Sequence, residues 1–188
     1  LAAAVLAAAG CAGQTTPSRF YTLSPAAEGT AYRPSPSVTS VGVGPVRLPE
    51  TLDRPQIVTR SGANQLEVSD FHRWGGDLRE EVPGVIAENL TRLLSPVPVV
   101  VMPFAGMAAP SHRVVVDVRR FDGVPGESVV LIAGWSVVPA AGGAGEDLRR
   151  SRIEEPVRLP GIDGYVDAQS RALGALSREI AQALAAGP

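Results

Sequence analysis

The sequence is poor in reactive side chains. Cys11 is its single cysteine, it has two histidines, and all 17 of its basic residues are arginine. One cysteine excludes an intramolecular disulfide and any multi-cysteine metal site, so the folded part is held by its core alone. The histidines, His72 and His112, are not spaced as His-Glu-x-x-His, and no Gly-x-Ser-x-Gly elbow is present. Gly42-Val43-Gly44 begins like a phosphate loop, but neither a third glycine nor Lys-Ser/Thr follows, so a bent strand is the simpler reading. No cofactor motif is visible. Aromatics make up 5% of the chain. A formal charge of −2 gives no electrostatic footprint for nucleic acid. No apolar run approaches the roughly 20 residues of a membrane-spanning helix.

What is present begins at the N-terminus. Leu1 to Gly10 is an apolar run ending in small residues, and Cys11 follows it. A run of this length fits the h-region of a signal peptide. Ala9 and Gly10 suit a bacterial lipoprotein signal, whereas Ala8 stands where a leucine is usual. On this reading Cys11 is the lipidated mature N-terminus and the true start lies upstream of Leu1. Ala12, rather than an aspartate, follows Cys11, which favours the outer membrane and a periplasmic orientation. The competing reading is a small buried cysteine in an N-terminal helix. Residues 1–10 are thus a signal-peptide remnant. Residues 11–37, rich in Ser, Pro, Gly and Ala, are a lipidated flexible linker with a span of roughly 25–30 Å. Residues 38–188 are the folded domain. Within the linker, Phe20-Tyr21-Thr22-Leu23 is a short β-prone patch, either an edge strand or a docking segment.

Periodicity predicts the rest. Residues 38–48 read as a strand bent near Gly44-Pro45, and 56–60 with 65–69 as a hairpin. Leu78, Val82, Ile86, Leu90 and Leu93 form one helical stripe behind a candidate N-cap, Asp77. Pro83 requires that helix either to start near Glu81 or to bend. A short strand is expected over 97–102. Strands over 113–121, 128–138 and 148–159 follow as an antiparallel meander, the middle one apolar enough to be covered on both faces. A helix over about 166–185, started by Asp163 or Gly164, closes the chain. The expected class is α/β or α+β: one domain, with a mixed, mostly antiparallel sheet packed by two long helices.

Few residues stand out as site candidates. Phe71-His72-Arg73-Trp74 lies at a strand-to-helix junction. Phe71, Arg73 and Trp74 are candidate partner-binding residues, because Trp and Arg are enriched in interface hot spots; core packing is the alternative. Asp77, Glu80 and Glu81 complement a helix N-terminus. The pairs Arg119-Arg120 and Arg149-Arg150, with Arg152, are either solvated faces or a basic patch for lipid head groups or a partner.

Several segments in order carry a family resemblance. They are Phe20-Tyr21-Thr22-Leu23; Leu48-Pro49-Glu50-Thr51-Leu52-Asp53-Arg54-Pro55-Gln56-Ile57-Val58; Phe71-His72-Arg73-Trp74 before a helix ending Ala87-Glu88-Asn89-Leu90; Trp135; and Gln169-Ser170-Arg171-Ala172-Leu173. Together they resemble the PqiC (YmbA) family of ABC-type transport auxiliary lipoproteins, across essentially the whole mature chain. The resemblance implies a protein anchored in the Gram-negative outer membrane through Cys11 and facing the periplasm. It also implies no catalytic residue, metal or cofactor. The implied partners are an MCE-domain protein that spans the periplasm, inner-membrane transporter components, and further copies of the chain in a ring. The implied role is intermembrane lipid transport that supports envelope integrity. Two rivals remain: a lipid shuttle with a cavity between the 129–138 strand and the helices, and an envelope hydrolase, which needs a nucleophile beside a base.

Overall fold

The computed structural model describes residues 16–104, 109–140 and 147–186. The elements run β1 (Arg19–Tyr21), β2 (Val41–Arg47), β3 (Gln56–Arg60), β4 (Leu66–Trp74), α1 (Leu78–Leu93), β5 (Val99–Val101), β6 (His112–Val124), β7 (Ser128–Pro139), β8 (Arg149–Pro156) and α2 (Gly161–Ala186). They form one α+β domain with two sheets, ordered β1-β4-β3 and β5-β2-β6-β7-β8.

The larger sheet is mixed. β2 runs parallel to β5 and β6, and β6, β7 and β8 form the expected antiparallel meander. β2 changes register between Val43 and Val46, the bend expected at Gly44-Pro45. α2 lies along β6, β7 and β8, and α1 lies beside it over β2 and β5. Both helices share one core. Val129, Leu131, Ala133 and Trp135 of β7 are buried in the same cluster as Leu173, Leu176 and Ile180 of α2. β7 is therefore internal, but it is not covered on both faces. On its other side Ile132, Gly134 and Val138 stay half-exposed, with Arg152, Arg150 and Arg113 as their cross-strand neighbours.

The first helix starts behind its expected N-cap, and the second starts earlier than expected. α1 begins at Leu78, where Asp77 accepts a hydrogen bond from the Arg79 N–H at 2.8 Å. Pro83 is carried inside the helix, so the later start at Glu81 does not occur. α2 begins at Gly161, five residues before the expected Val166. Gly164 permits this: a Cβ there would lie 1.9 Å from the Leu159 carbonyl oxygen, so the entering loop folds tightly onto the first turn.

The smaller sheet sits at the N-terminal end of α2. Tyr165 Oη donates to the Val58 carbonyl at 2.9 Å and accepts the Gly123 N–H at 3.1 Å. Arg60 of β3 reaches Asp122 of β6 at 2.6 Å, and Arg120 reaches the same carboxylate at 2.8 Å. The first bonds join α2 to both sheets, and the Arg60–Asp122 pair ties the sheets to each other.

The stretch expected as a flexible linker is largely docked. From Arg19 it forms β1, which pairs parallel with β4. It then runs the length of the groove between α1 and α2. Leu23 N–H donates to Glu81 Oε2 at 3.2 Å, Ser24 N–H to Ser170 Oγ at 3.1 Å, and Ala27 N–H to Asn89 Oδ1 at 2.9 Å. Further on, the Tyr32 and Ser35 amides donate to the carbonyls of Leu93 and Leu184 at 2.7 and 3.0 Å. Leu23 and Val38 are buried at its two ends, each contributing about 1.5–3 kcal/mol. Residues 22–38 are therefore a strap lying along the helices.

Candidate docking surfaces

Cys11 lies outside the described residues. The strap fixes how the chain that precedes it leaves the domain. β1 runs toward α1 alongside β4, so residues before Arg19 depart from the outer margin of the small sheet. Cys11 stands only eight positions before Arg19. Eight residue steps reach at most about 26–29 Å when fully extended.

The three candidate partner-binding residues do not form one cluster. They stand at the end of β4, just ahead of α1, the strand-to-helix junction expected from the sequence. Trp74 is 5% exposed and belongs to the core, and its backbone N–H donates to the Pro55 carbonyl at 2.7 Å. Phe71 is 43% exposed. Arg73 is half-buried, and its Nε has no hydrogen-bond partner among the described residues. The separation follows from the strand. Alternate side chains point to opposite faces, so residues three apart cannot share one. Between Val68 and Arg73, β4 carries several more residues than β3 does between Val58 and Gln56. Phe71 sits in this bulge, a feature that re-aims side chains. Phe20, 67% exposed, is the register partner of Arg73 on β1. Sequence reasoning placed Phe20 in a β-prone patch but did not pair it with Arg73, because the contact is made between strands 53 residues apart.

Each histidine lies beside a serine. Ser69 Oγ accepts the His72 backbone N–H at 3.1 Å and lies 2.9 Å from His72 Nδ1. The His72 ring packs at a tilt against Tyr21, with centroids 5.6 Å apart. Ser111 Oγ lies 3.1 Å from His112 Nδ1, but it donates to the Ser40 carbonyl at 2.7 Å. The same oxygen accepts the Thr39 and Ser40 amides, both at 3.0 Å. Its proton and lone pairs thus hold a loop together instead of facing a base. Among the described residues no carboxylate pairs with either ring to orient it, the third element that a nucleophile–base pair uses. Burial pushes the His112 pKa below its usual value.

The acidic group at the start of α1 divides into separate roles. Asp77 is the N-cap. Glu81 turns toward the strap and accepts the Leu23 amide. Burial raises its carboxyl pKa, opposed by that hydrogen bond. The candidate basic patches are mostly neutralised: Arg119 pairs with Asp117, Arg120 with Asp122, Arg149 with Asp147 and Arg152 with Glu154.

A surface cleft of about 360 Å³ lies at the C-terminal end of α2, lined by Trp135, Arg149, Arg150, Ser151, Glu179 and Gln182 among others. The Arg149 guanidinium sits 5.4 Å from the Trp135 ring centre. Trp135 Nε1 donates to Ser151 Oγ at 2.7 Å, and Ser151 in turn donates to the Glu179 carboxylate. The cleft combines an aromatic face, cations and an acid, and it opens at the end of α2 opposite the small sheet. The cavity asked of a lipid shuttle would lie instead between β7 and the helices, where Val129, Leu131, Ala133, Leu173, Leu176 and Ile180 are fully buried against one core.

No curated protein matches this chain. Its fold is shared with solved structures. A crystal structure of an uncharacterized protein superposes with TM-score 0.71 at 19% identity, covering 89% of this chain and 98% of that one. A Xanthomonas campestris protein superposes with TM-score 0.61 at 14% identity, covering 86% and 92%. The family model described as the ABC-type transport auxiliary lipoprotein component matches residues 21–181, beginning inside β1 and ending within α2. This chain belongs to the family of ABC-type transport auxiliary lipoprotein components.

Proposed function

We propose that this protein is a non-catalytic auxiliary subunit of an intermembrane lipid transport system, anchored through Cys11 to the outer membrane and facing the periplasm. Copies of the domain would assemble in a ring that receives the tip of a periplasm-spanning MCE-domain protein, whose inner-membrane components supply the drive. The observation that carries this reading is the family match over residues 21–181 together with a cysteine eight residues ahead of β1. The domain boundaries follow: a signal remnant over 1–10, a tether from Cys11 to Ser18, and a folded body from Arg19 onward.

In this role the domain is a tethered adaptor. Acylation of Cys11 confines it to the bilayer surface, and the short tether keeps its local concentration high. A partner surface can then engage with modest intrinsic affinity. Phe71 and Arg73, joined by Phe20, remain candidate contact residues, whereas Trp74 supports them from the core. At the far end, the Trp135–Arg149 cleft is the surface open to the periplasm.

The test is fractionation and capture from native membranes. Wild-type protein should sediment with the outer membrane and bring down an MCE-domain protein identified by mass spectrometry. Cys11→Ser should move to the soluble periplasmic fraction and lose that co-purification. Retention of Cys11→Ser in the membrane, or an unmodified thiol on the mature wild type, would remove the anchor from the account.

A further inference from the structure

The molecule is polarised along α2, whose 26 residues span about 39 Å. The small sheet lies at the N-terminal end, through Tyr165 and Val58. The cleft of Trp135, Arg149 and Ala186 lies at the other. The chain leading back to Cys11 leaves from the small-sheet end, at Arg19.

Exposed apolar groups concentrate at that same end. Six large hydrophobic side chains are exposed among the described residues: Phe20, Val68, Phe71, Phe104, Leu148 and Leu159. Three of them, Phe20, Val68 and Phe71, stand on β1 and β4. Charge there is balanced, with Arg19 and Arg73 beside Glu67 and Asp70. Attraction to this surface would therefore come from apolar burial and not from a net positive field.

We infer that the β1–β4 margin of the small sheet, through Phe20 and Phe71, rests in the lipid surface that holds the anchor. The inference rests on the Cys11 reading and deepens it. With eight residue steps from Cys11 to Arg19, even a fully extended tether reaches only about 26–29 Å. A relaxed one holds this margin roughly 15 Å from the acylated sulfur, within reach of the interfacial region where aromatic rings partition favourably. The opposite end, with the cleft, is then turned into the periplasm.

The scarcity of cysteine supplies the experiment. Acylation blocks Cys11, so a cysteine introduced elsewhere is the sole free thiol. Phe20→Cys, Phe71→Cys and, as the distal control, Leu148→Cys are each labelled with an environment-sensitive fluorophore. All three replace exposed side chains, and circular dichroism checks the fold. The acylated proteins are reconstituted into phosphatidylethanolamine/phosphatidylglycerol vesicles and isolated by flotation. Labels at 20 and 71 should shift to the blue and brighten with the vesicles, and the shift should survive high salt; the label at 148 should do neither. Floated protein with unshifted labels at 20 and 71 overturns the orientation while leaving the anchor intact. A shift confined to 148 also overturns it, by reversing the polarity. A shift at 20 and 71 in soluble Cys11→Ser protein without vesicles assigns the margin to contact between copies and overturns the lipid assignment. Acylated protein that does not float removes the anchor and this inference together.

Discussion

Tyr165 Oη donates its proton to the Val58 carbonyl at 2.9 Å and accepts the Gly123 amide at 3.1 Å. One fully buried phenol thereby satisfies a backbone acceptor in β3 and a backbone donor in β6. Burial raises its pKa, with the Asp122 charge adding to the effect, so it remains a neutral donor throughout the physiological range.

Tyr165→Phe should retain the ring packing and orphan both backbone groups. A buried polar group without a partner costs about 1–3 kcal/mol. The urea midpoint should fall accordingly with the slope unchanged. An unaltered midpoint would mean that water replaces the hydroxyl.

Asp122→Asn addresses the neighbouring ion pairs. The Asp122 side chain is 8% exposed, and Arg60, 21% exposed, and Arg120 both converge on it. The Asp122 carboxylate holds the Arg60 guanidinium pKa above its usual value, against the opposing effect of burial. Removing the carboxylate leaves two cations facing each other, an expected loss of about 3 kcal/mol or more. The double variant Arg60→Met with Asp122→Leu should recover part of that loss. Thermal unfolding of the single and double variants measures the coupling.

Gly174→Ala tests the strap. A Cβ at position 174 would lie 2.7 Å from the Ala26 carbonyl oxygen, closer than backbone tolerates. The strap must move or the helix must shift, at a cost of about 1–3 kcal/mol. Limited proteolysis should then cut within residues 22–38, where the wild type resists. The same protease pattern in both proteins would show that the groove absorbs the methyl group.

His112 should make stability depend on pH. Its folded-state pKa lies below the usual value of 6.5, so the unfolded chain binds the proton more readily. The stability it contributes is complete above pH 6.5 and is lost as pH falls through the lower folded value. Between pH 7.5 and pH 5 the wild type should lose more stability than His112→Gln. Parallel pH profiles for the two proteins would assign the titration elsewhere.

Much of the architecture was legible along the chain, because it rests on local periodicity. The α1 stripe from Leu78 to Leu93 and the meander strands follow from side chains that repeat every 3.6 or every two residues, and the bend at Gly44-Pro45 follows from a Gly-Pro pair inside a strand. The early start of α2 was hidden because Gly161 is a poor helix former in isolation, and the loop packing that rewards Gly164 is not local. The candidate site was legible only in part. Phe71 and Trp74 were singled out for scarcity, but a bulge and strand alternation send one outward and the other into the core.

The sequence by itself determined which residues can be buried, the absence of any disulfide and the place of Cys11 ahead of the domain, since composition and periodicity are properties of the chain. Tertiary structure decided the course of residues 19–38. Ala27 and Ser24 have no apolar pattern of their own; they are ordered by Asn89 and Ser170, 62 and 146 residues away. Hydrogen bonds to groups so distant leave no periodic trace, and they turn most of an expected linker into a strap docked along the helices.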